Sequence, residues 1–217
     1  MKLRYLYILA SFLISINVDT DDIYDNSWAL IVGINDYQLI EDLSYSVDDA
    51  ISIKNMLIND YNFPRQNVKV LLDGNATLYK IRKEFSNIRK QTGENDRVVF
   101  YFAGHGETET IGRSGDQKQA GYLMPVDADL EDLELTALPM TWIKGASQRS
   151  SAKHMLFMVD ACYGGLAAVN SRGLIDIKSP NYIEVISEDV SRQIITAGGA
   201  DQIVISKDEW EHSAFTK

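Results

Sequence analysis

Beyond its first two dozen residues the chain alternates short apolar runs with stretches of helical period. Residues 28–34 (WALIVGI) are apolar without a break, as expected of a strand covered on both faces. After a polar turn, residues 46–58 place Val47, Ala50, Ile51, Met56 and Leu57 broadly on one helical face. Asp48 and Asp49 fall in that helix's first turn, where carboxylates favour the helix dipole. Residues 68–72 read as a second strand, and Leu78, Ile81, Phe85 and Ile88 mark a second amphipathic helix. Residues 97–102 (RVVFYF) and 154–159 (HMLFMV) read as a third and a fourth strand, and a fifth starts at 193–196. This alternation predicts an α/β fold: a mainly parallel central sheet flanked by helices on both faces. Residues 107–135 and 164–191 show no such pattern and read as long irregular segments beside strand ends, where function concentrates.

The N-terminus departs from this rhythm. Lys2 and Arg4 precede the apolar residues 6–18, and Asp19, Asp21 and Asp22 follow. A basic flank before an apolar run of this length predicts an export signal, either cleaved or retained as an anchor. The run is short for a membrane span, which needs roughly 20 residues. The domain organisation expected is therefore a signal or anchor with a short linker over 1–25 and one catalytic-type domain over 26–217. Residues 212–217 resemble the opening turn of a further helix, so the domain is expected to continue past the last residue.

Composition narrows the chemistry. A net charge of −10 argues against a nucleic-acid partner, since phosphate binding needs a basic face. A single cysteine permits neither an internal disulfide nor a cysteine-based zinc cluster, and the three histidines lack metal-ligand spacing. No metal or cofactor is expected to be required. Oxygen-ligated calcium is left open by the acidic residues Asp127, Asp129, Glu131, Asp132 and Glu134.

Within that frame two residues stand out. His105 lies in YFAGHG and Cys162 in VDACYGG, each three positions past an apolar strand run. In a parallel sheet, ligands bind outside the carboxyl ends of the strands. A thiol is mostly protonated at neutral pH, and a neighbouring imidazole makes it a nucleophile by drawing off the proton. The flanking glycines let backbone pass close to a substrate. The amides of Gly106 and Cys162 are placed to serve as oxyanion donors for acyl transfer. A lone buried Cys is usually structural; the pairing with a strand-end His raises the catalytic reading above it. The order, His before Cys, excludes α/β-hydrolases and papain-like proteases, which run nucleophile first.

These residues resemble the caspase-type cysteine peptidases (clan CD, family C14), whose His stands roughly 50 residues before the Cys. The resemblance is strongest to the prokaryotic metacaspase-like branch, the orthocaspases. It is carried by WALIVGINDY, LSYSVDDA, YFAGHG, GYLMPVDA, DACYGG, ITAGGADQ and HSAFT, in family order from Trp28 to the chain end. It implies a caspase-like fold, a His105/Cys162 dyad and a Gly106/Cys162 oxyanion hole.

Departures from caspases bear on specificity. Asp160 precedes Ala161 where caspases carry glutamine, and Tyr163 follows Cys162 where they carry arginine. An acidic group there repels a P1 carboxylate and suits Arg or Lys at P1. Asp49 matches the position from which metacaspases draw a second S1 acid, although a first-turn carboxylate also has a purely structural use. Ala103 stands where many metacaspases have serine. Their paired calcium aspartates have no match in Thr136, Ala137 and Leu138, so calcium activation is doubtful. Arg172 and Lys178 lie in the loop after Cys162, where self-cleavage is expected. His154 and His212 read as surface or cap residues. The leading expectation is a monomeric, exported endopeptidase acting on protein or peptide substrates with Arg or Lys at P1, touching membrane only through an uncleaved anchor. The alternative is a non-catalytic caspase-like scaffold.

Overall fold

The computed structural model describes residues 23–114, 116–161, 190–197, 206–207, 212–213 and 215–216. Cys162, Tyr163, Arg172, Lys178 and the N-terminal apolar run lie outside the described residues. The elements are β1 (Ser27–Gly33), α1 (Ser46–Asn59), β2 (Val68–Leu72), α2 (Leu78–Gln91), β3 (Arg97–Ala103), β4 (Gly106–Ile111), β5 (Lys118–Leu123), α3 (Leu133–Thr136), β6 (Leu138–Pro139), α4 (Met140–Gln148), β7 (His154–Asp160), β8 (Ser191–Thr196), β9 (Ser206–Lys207) and β10 (His212–Ser213).

The five main strands pair in the order β2-β1-β3-β7-β8, and every pairing is parallel. Successive side chains of a strand point to opposite faces, and both faces here are covered. Ala29, Ile31, Val99 and Tyr101 pack with Ala50, Ile53 and Leu57 of α1. Leu30, Val32, Val98, Phe100 and Phe157 pack on the other side with Phe85 and Ile88 of α2 and Ile143 of α4. Double coverage explains why β1 and β3 carry apolar residues without alternation. The expected sheet with helices on both faces is observed. No helix among the described residues is long and apolar enough to cross a membrane.

Two details differ from the sequence expectation. The buried stripe of α1 runs through Ser46, Asp49, Ala50, Ile53 and Leu57, whereas Ile51 is exposed. The helix is therefore rotated so that Asp49 faces inward. Residues 107–135 are not one irregular loop: β4 and β5 pair within them, α3 begins at Leu133, and β6 just beyond completes an antiparallel three-stranded sheet. The sequence GETETI of β4 carries a single large apolar residue, the exposed Ile111, so no apolar alternation marks it. Its strand character comes from pairing with β5.

Register sets the functional end of the sheet. Gly33 pairs with Ala103, and Ala103 with Asp160, so the carboxyl ends of β1, β3 and β7 lie side by side. The start of α1 closes tightly on that end. A Cβ at Gly33 would lie 2.5 Å from the Ser46 carbonyl oxygen and 2.5 Å from the Ala50 Cβ. Gly33→Ala is expected to lower unfolding free energy by about 1–3 kcal/mol through this overpacking, measurable by urea denaturation. An unchanged midpoint would mean the helix start gives way freely.

Candidate active site

β3 delivers Gly104, His105 and Gly106 to the sheet's carboxyl end. The Gly104 N–H donates to the Asp160 carbonyl at 3.2 Å, which ties this turn to the end of β7. The His105 carbonyl accepts from the Met124 N–H at 3.0 Å, continuing the β4–β5 pairing up to the histidine. Gly106 then opens β4 opposite Leu123. Backbone alone thus anchors His105 from two sides.

The β1–α1 loop supplies the rest. The His105 N–H donates to the Tyr37 hydroxyl at 2.8 Å, and the Tyr37 ring lies tilted against the imidazole with centroids 5.0 Å apart. Burial pushes the Tyr37 hydroxyl above its ordinary pKa, opposed by the bond from the His105 amide, so it stays protonated. A Cβ on residue 104 would sit 2.5 Å from that hydroxyl, so a side chain there would have to push Tyr37 away from the His105 amide. The imidazole Nε2 lies 2.8 Å from the Glu41 carbonyl oxygen. A carbonyl only accepts, so Nε2 carries the hydrogen and, in the neutral ring, Nδ1 keeps its lone pair for a proton. The loop is braced by Tyr37 N–H to Asp42 Oδ1 at 2.8 Å, Leu43 N–H to the Asn35 carbonyl at 2.9 Å and Asn35 N–H to Asp73 Oδ1 at 2.8 Å.

β7 runs to Asp160, and Ala161 beyond it is buried. The Asp160 and Asp49 side chains are both buried, at 5% and 2% exposure. Asp160 Oδ2 accepts from the Ser213 hydroxyl in a short bond, from Thr216 Oγ1 at 3.0 Å and from the Tyr101 hydroxyl at 3.4 Å. Asp49 Oδ1 lies 2.7 Å from His212 Nδ1, and Oδ2 accepts the Ser213 N–H at 3.2 Å. Burial pushes both carboxyl pKa values up. Hydrogen bonds from Ser213 and Thr216 pull Asp160 back, while the Asp49 charge adds to its rise. His212 and Ser213 pull Asp49 back. The result is an acidic pair at the end of the sheet, bridged by His212, Ser213 and Thr216.

A family model described as the caspase domain of peptidase family C14 matches residues 26–215. The chain belongs to this family. Among curated relatives, metacaspase-1 of Eremothecium gossypii is 25% identical over 175 residues, covering 72% of this chain and 36% of the relative. Metacaspase-1 of Scheffersomyces stipitis is 22% identical over 192 residues, covering 77% of this chain and 44% of the relative. A protein named a probable protease from a Desulfuromonadales bacterium is 28% identical over 153 residues, covering 63% of this chain and 18% of its own length. The chain thus spans less than half the length of these relatives. A crystal structure of a Geobacter sulfurreducens protein superposes with a TM-score of 0.51 at 17% identity, over 63% of this chain and 50% of that one, and supports the fold.

In this caspase domain the sequence-selected residues divide three ways. Asp49, His105, Gly106 and Asp160 gather at the carboxyl end of the sheet. Cys162, Arg172 and Lys178 lie outside the described residues. Three carboxylates of the acidic run accept backbone N–H groups: Asp127 Oδ1 from Leu78 at 2.9 Å at the distant start of α2, Asp129 Oδ1 from Glu131 at 2.9 Å and Asp132 Oδ1 from Leu135 at 3.2 Å. No group of three His, Cys, Asp or Glu side chains placed to hold a metal occurs among the described residues. His212, read as a surface or cap residue, is 29% exposed and is in addition the partner of Asp49.

Tyr37, Tyr101, Ser213 and Thr216 were missed from sequence. The first two read only as apolar-run and turn residues. Ser213 does carry a legible signal, since its hydroxyl accepts from the Phe215 and Thr216 N–H groups, the bonding of a helix-opening serine. Tyr37→Phe removes the acceptor of the His105 amide and is expected to lower unfolding free energy by about 1–3 kcal/mol. Urea denaturation checks it, and a stability equal to the parent's would show that water replaces the hydroxyl.

Proposed function

We propose that the chain is a cysteine-type endopeptidase that cleaves after Arg or Lys, with His105 and Cys162 as its dyad. The observation that carries this is the His105 imidazole, oriented by the Glu41 carbonyl at the end of β3. β3 pairs with β7, and Cys162 lies two residues past the last residue of β7. Family membership supports a peptidase, and the buried Asp160 and Asp49 support a cationic P1 residue.

In this reading Nδ1 of His105 takes the thiol proton and the thiolate attacks the scissile carbonyl carbon. The oxyanion is received by the Gly106 and Cys162 amides. The imidazolium then gives its proton to the departing amine, and an acyl-thioenzyme remains. Water, deprotonated by the same imidazole, attacks the thioester, and the thiol and a carboxylate product are released. Asp160 and Asp49 hold the P1 cation while the carbonyl is presented.

A panel of fluorogenic peptides with Arg, Lys or Asp at P1, with and without calcium, tests the reading against a Cys162→Ala control. Cys162-dependent turnover at Arg and Lys is expected. Turnover only at Asp would overturn the specificity, and no Cys162-dependent turnover would favour a scaffold role. Self-cleavage after Arg172 or Lys178 is proposed on the same grounds. Intact-mass analysis should then show fragments in the parent that are missing from Cys162→Ala, and identical fragments in both would sink it.

A further inference from the structure

Both oxygens of Asp49 are already engaged by the chain itself. His212 Nδ1 lies 2.7 Å from Oδ1, and the Ser213 N–H donates to Oδ2 at 3.2 Å. The carboxylate is 2% exposed, whereas the His212 side chain is 29% exposed. The imidazole is thus the more exposed member of the pair. A cation that binds Asp49 Oδ1 must take that oxygen from His212.

We propose that His212 is an internal rival of the P1 cation, which must displace the imidazole from Asp49 to bind. The proposal rests on the reading of Asp49 and Asp160 as the P1 acids. Phe215 packs against the same core cluster as Ala50 and Tyr101, and the Ser213 and Thr216 hydroxyls bond Asp160. These contacts hold the segment while the imidazole alone exchanges. Among the described residues, Asp49 on α1 holds the imidazole, with Asp48 exposed on the same turn, and Asp160 on β7 is reached through Ser213. Tyr101 on β3 also bonds Asp160.

The imidazole Nδ1 and a P1 cation contend for the same Asp49 oxygen. Displacing the imidazole takes part of the free energy of P1 binding, so the effect reaches KM rather than the chemical step. The informative quantity is thus the ratio of parent to variant.

The test follows KM and kcat for an Arg-P1 peptide at one neutral pH in the parent, His212→Ala and His212→Lys. In parallel, benzamidine affinity is measured at equilibrium on the same three proteins carrying Cys162→Ala, so that no turnover is needed. His212→Ala removes the group that occupies Asp49 Oδ1 and should lower KM and tighten benzamidine binding by about fivefold or more, with kcat little changed. His212→Lys places a permanent cation beside Asp49 and should bind more weakly than the parent. A KM for His212→Ala equal to or above the parent's, while Arg peptides are cleaved, overturns the proposal and leaves the P1 reading standing. If neither peptide turnover nor benzamidine binding is found in any of the proteins, both fall together.

Discussion

His105→Ala is expected to lower kcat on an Arg-P1 peptide by about 10²–10⁴-fold with little change in KM, the contribution of a positioned general acid–base. The proposed imidazole serves three times in one turnover: it activates the thiol, protonates the leaving amine and deprotonates water. Its removal therefore touches every barrier. The bonds that place residue 105 are made by its backbone, to Tyr37 and to Met124, and alanine keeps both. The thermal midpoint should accordingly stay near the parent's, which separates loss of chemistry from loss of fold. A variant that retained more than a tenth of parental kcat would remove His105 from the mechanism. His105→Gln is the companion variant. It can still donate to the Glu41 carbonyl but cannot cycle a proton, so it should be as inactive as alanine.

Asp160→Asn is expected to separate specificity from stability. Truncating one partner of a buried charge pair costs about 2–5 kcal/mol, or roughly 30- to 5,000-fold in kcat/KM for an Arg-P1 peptide. Stability should move the other way or not at all. Burial raises the Asp160 carboxyl pKa in the folded chain despite the Ser213 and Thr216 bonds. A carboxyl raised in the folded state contributes stability that is full below the ordinary aspartate range and lost as pH rises through the folded value. At neutral pH the ionised Asp160 is therefore a burden on the fold, and a neutral amide removes it. The Tm of Asp160→Asn should equal or exceed the parent's at pH 7, and any excess should shrink as pH falls and the parent's carboxyl takes up its proton. Thermal melts from pH 7 to 4 check the sign. A variant much less stable at pH 7, with the gap closing only at high pH, would mean that the charge itself holds residues 212–216 in place.

How far the sequence reaches depends on which physical signal each element leaves. β1, α1, β2, α2, β3 and β7 were legible within a residue or two because a doubly covered parallel sheet demands unbroken apolar strands and one-sided helices. β4 and β5 left no such trace. Their stability comes from cross-strand pairing, which no single strand's composition reports, and GETETI reads as a loop until its partner is known. The rotation of α1 was misjudged for a related reason. Ile51 is apolar and Asp49 is not, yet the donors from His212 and Ser213 make Asp49 the residue that goes inside.

The candidate site divides along the same line. His105 and Gly106 were readable because each sits a set distance past an apolar run, and local spacing along a strand survives folding unchanged. Asp160 and Asp49 were readable as candidate P1 acids only with the family resemblance beside them. The Glu41 carbonyl, the Tyr37 hydroxyl and the His212–Asp49 bond were not readable. Glu41 and Tyr37 reach His105 across more than sixty positions of chain, and His212 reaches Asp49 across 163. Chemistry confined to one strand end is written in the order of residues. The contacts that orient the imidazole and cover the acid arise only when distant segments are brought together by the closing of the sheet's carboxyl edge.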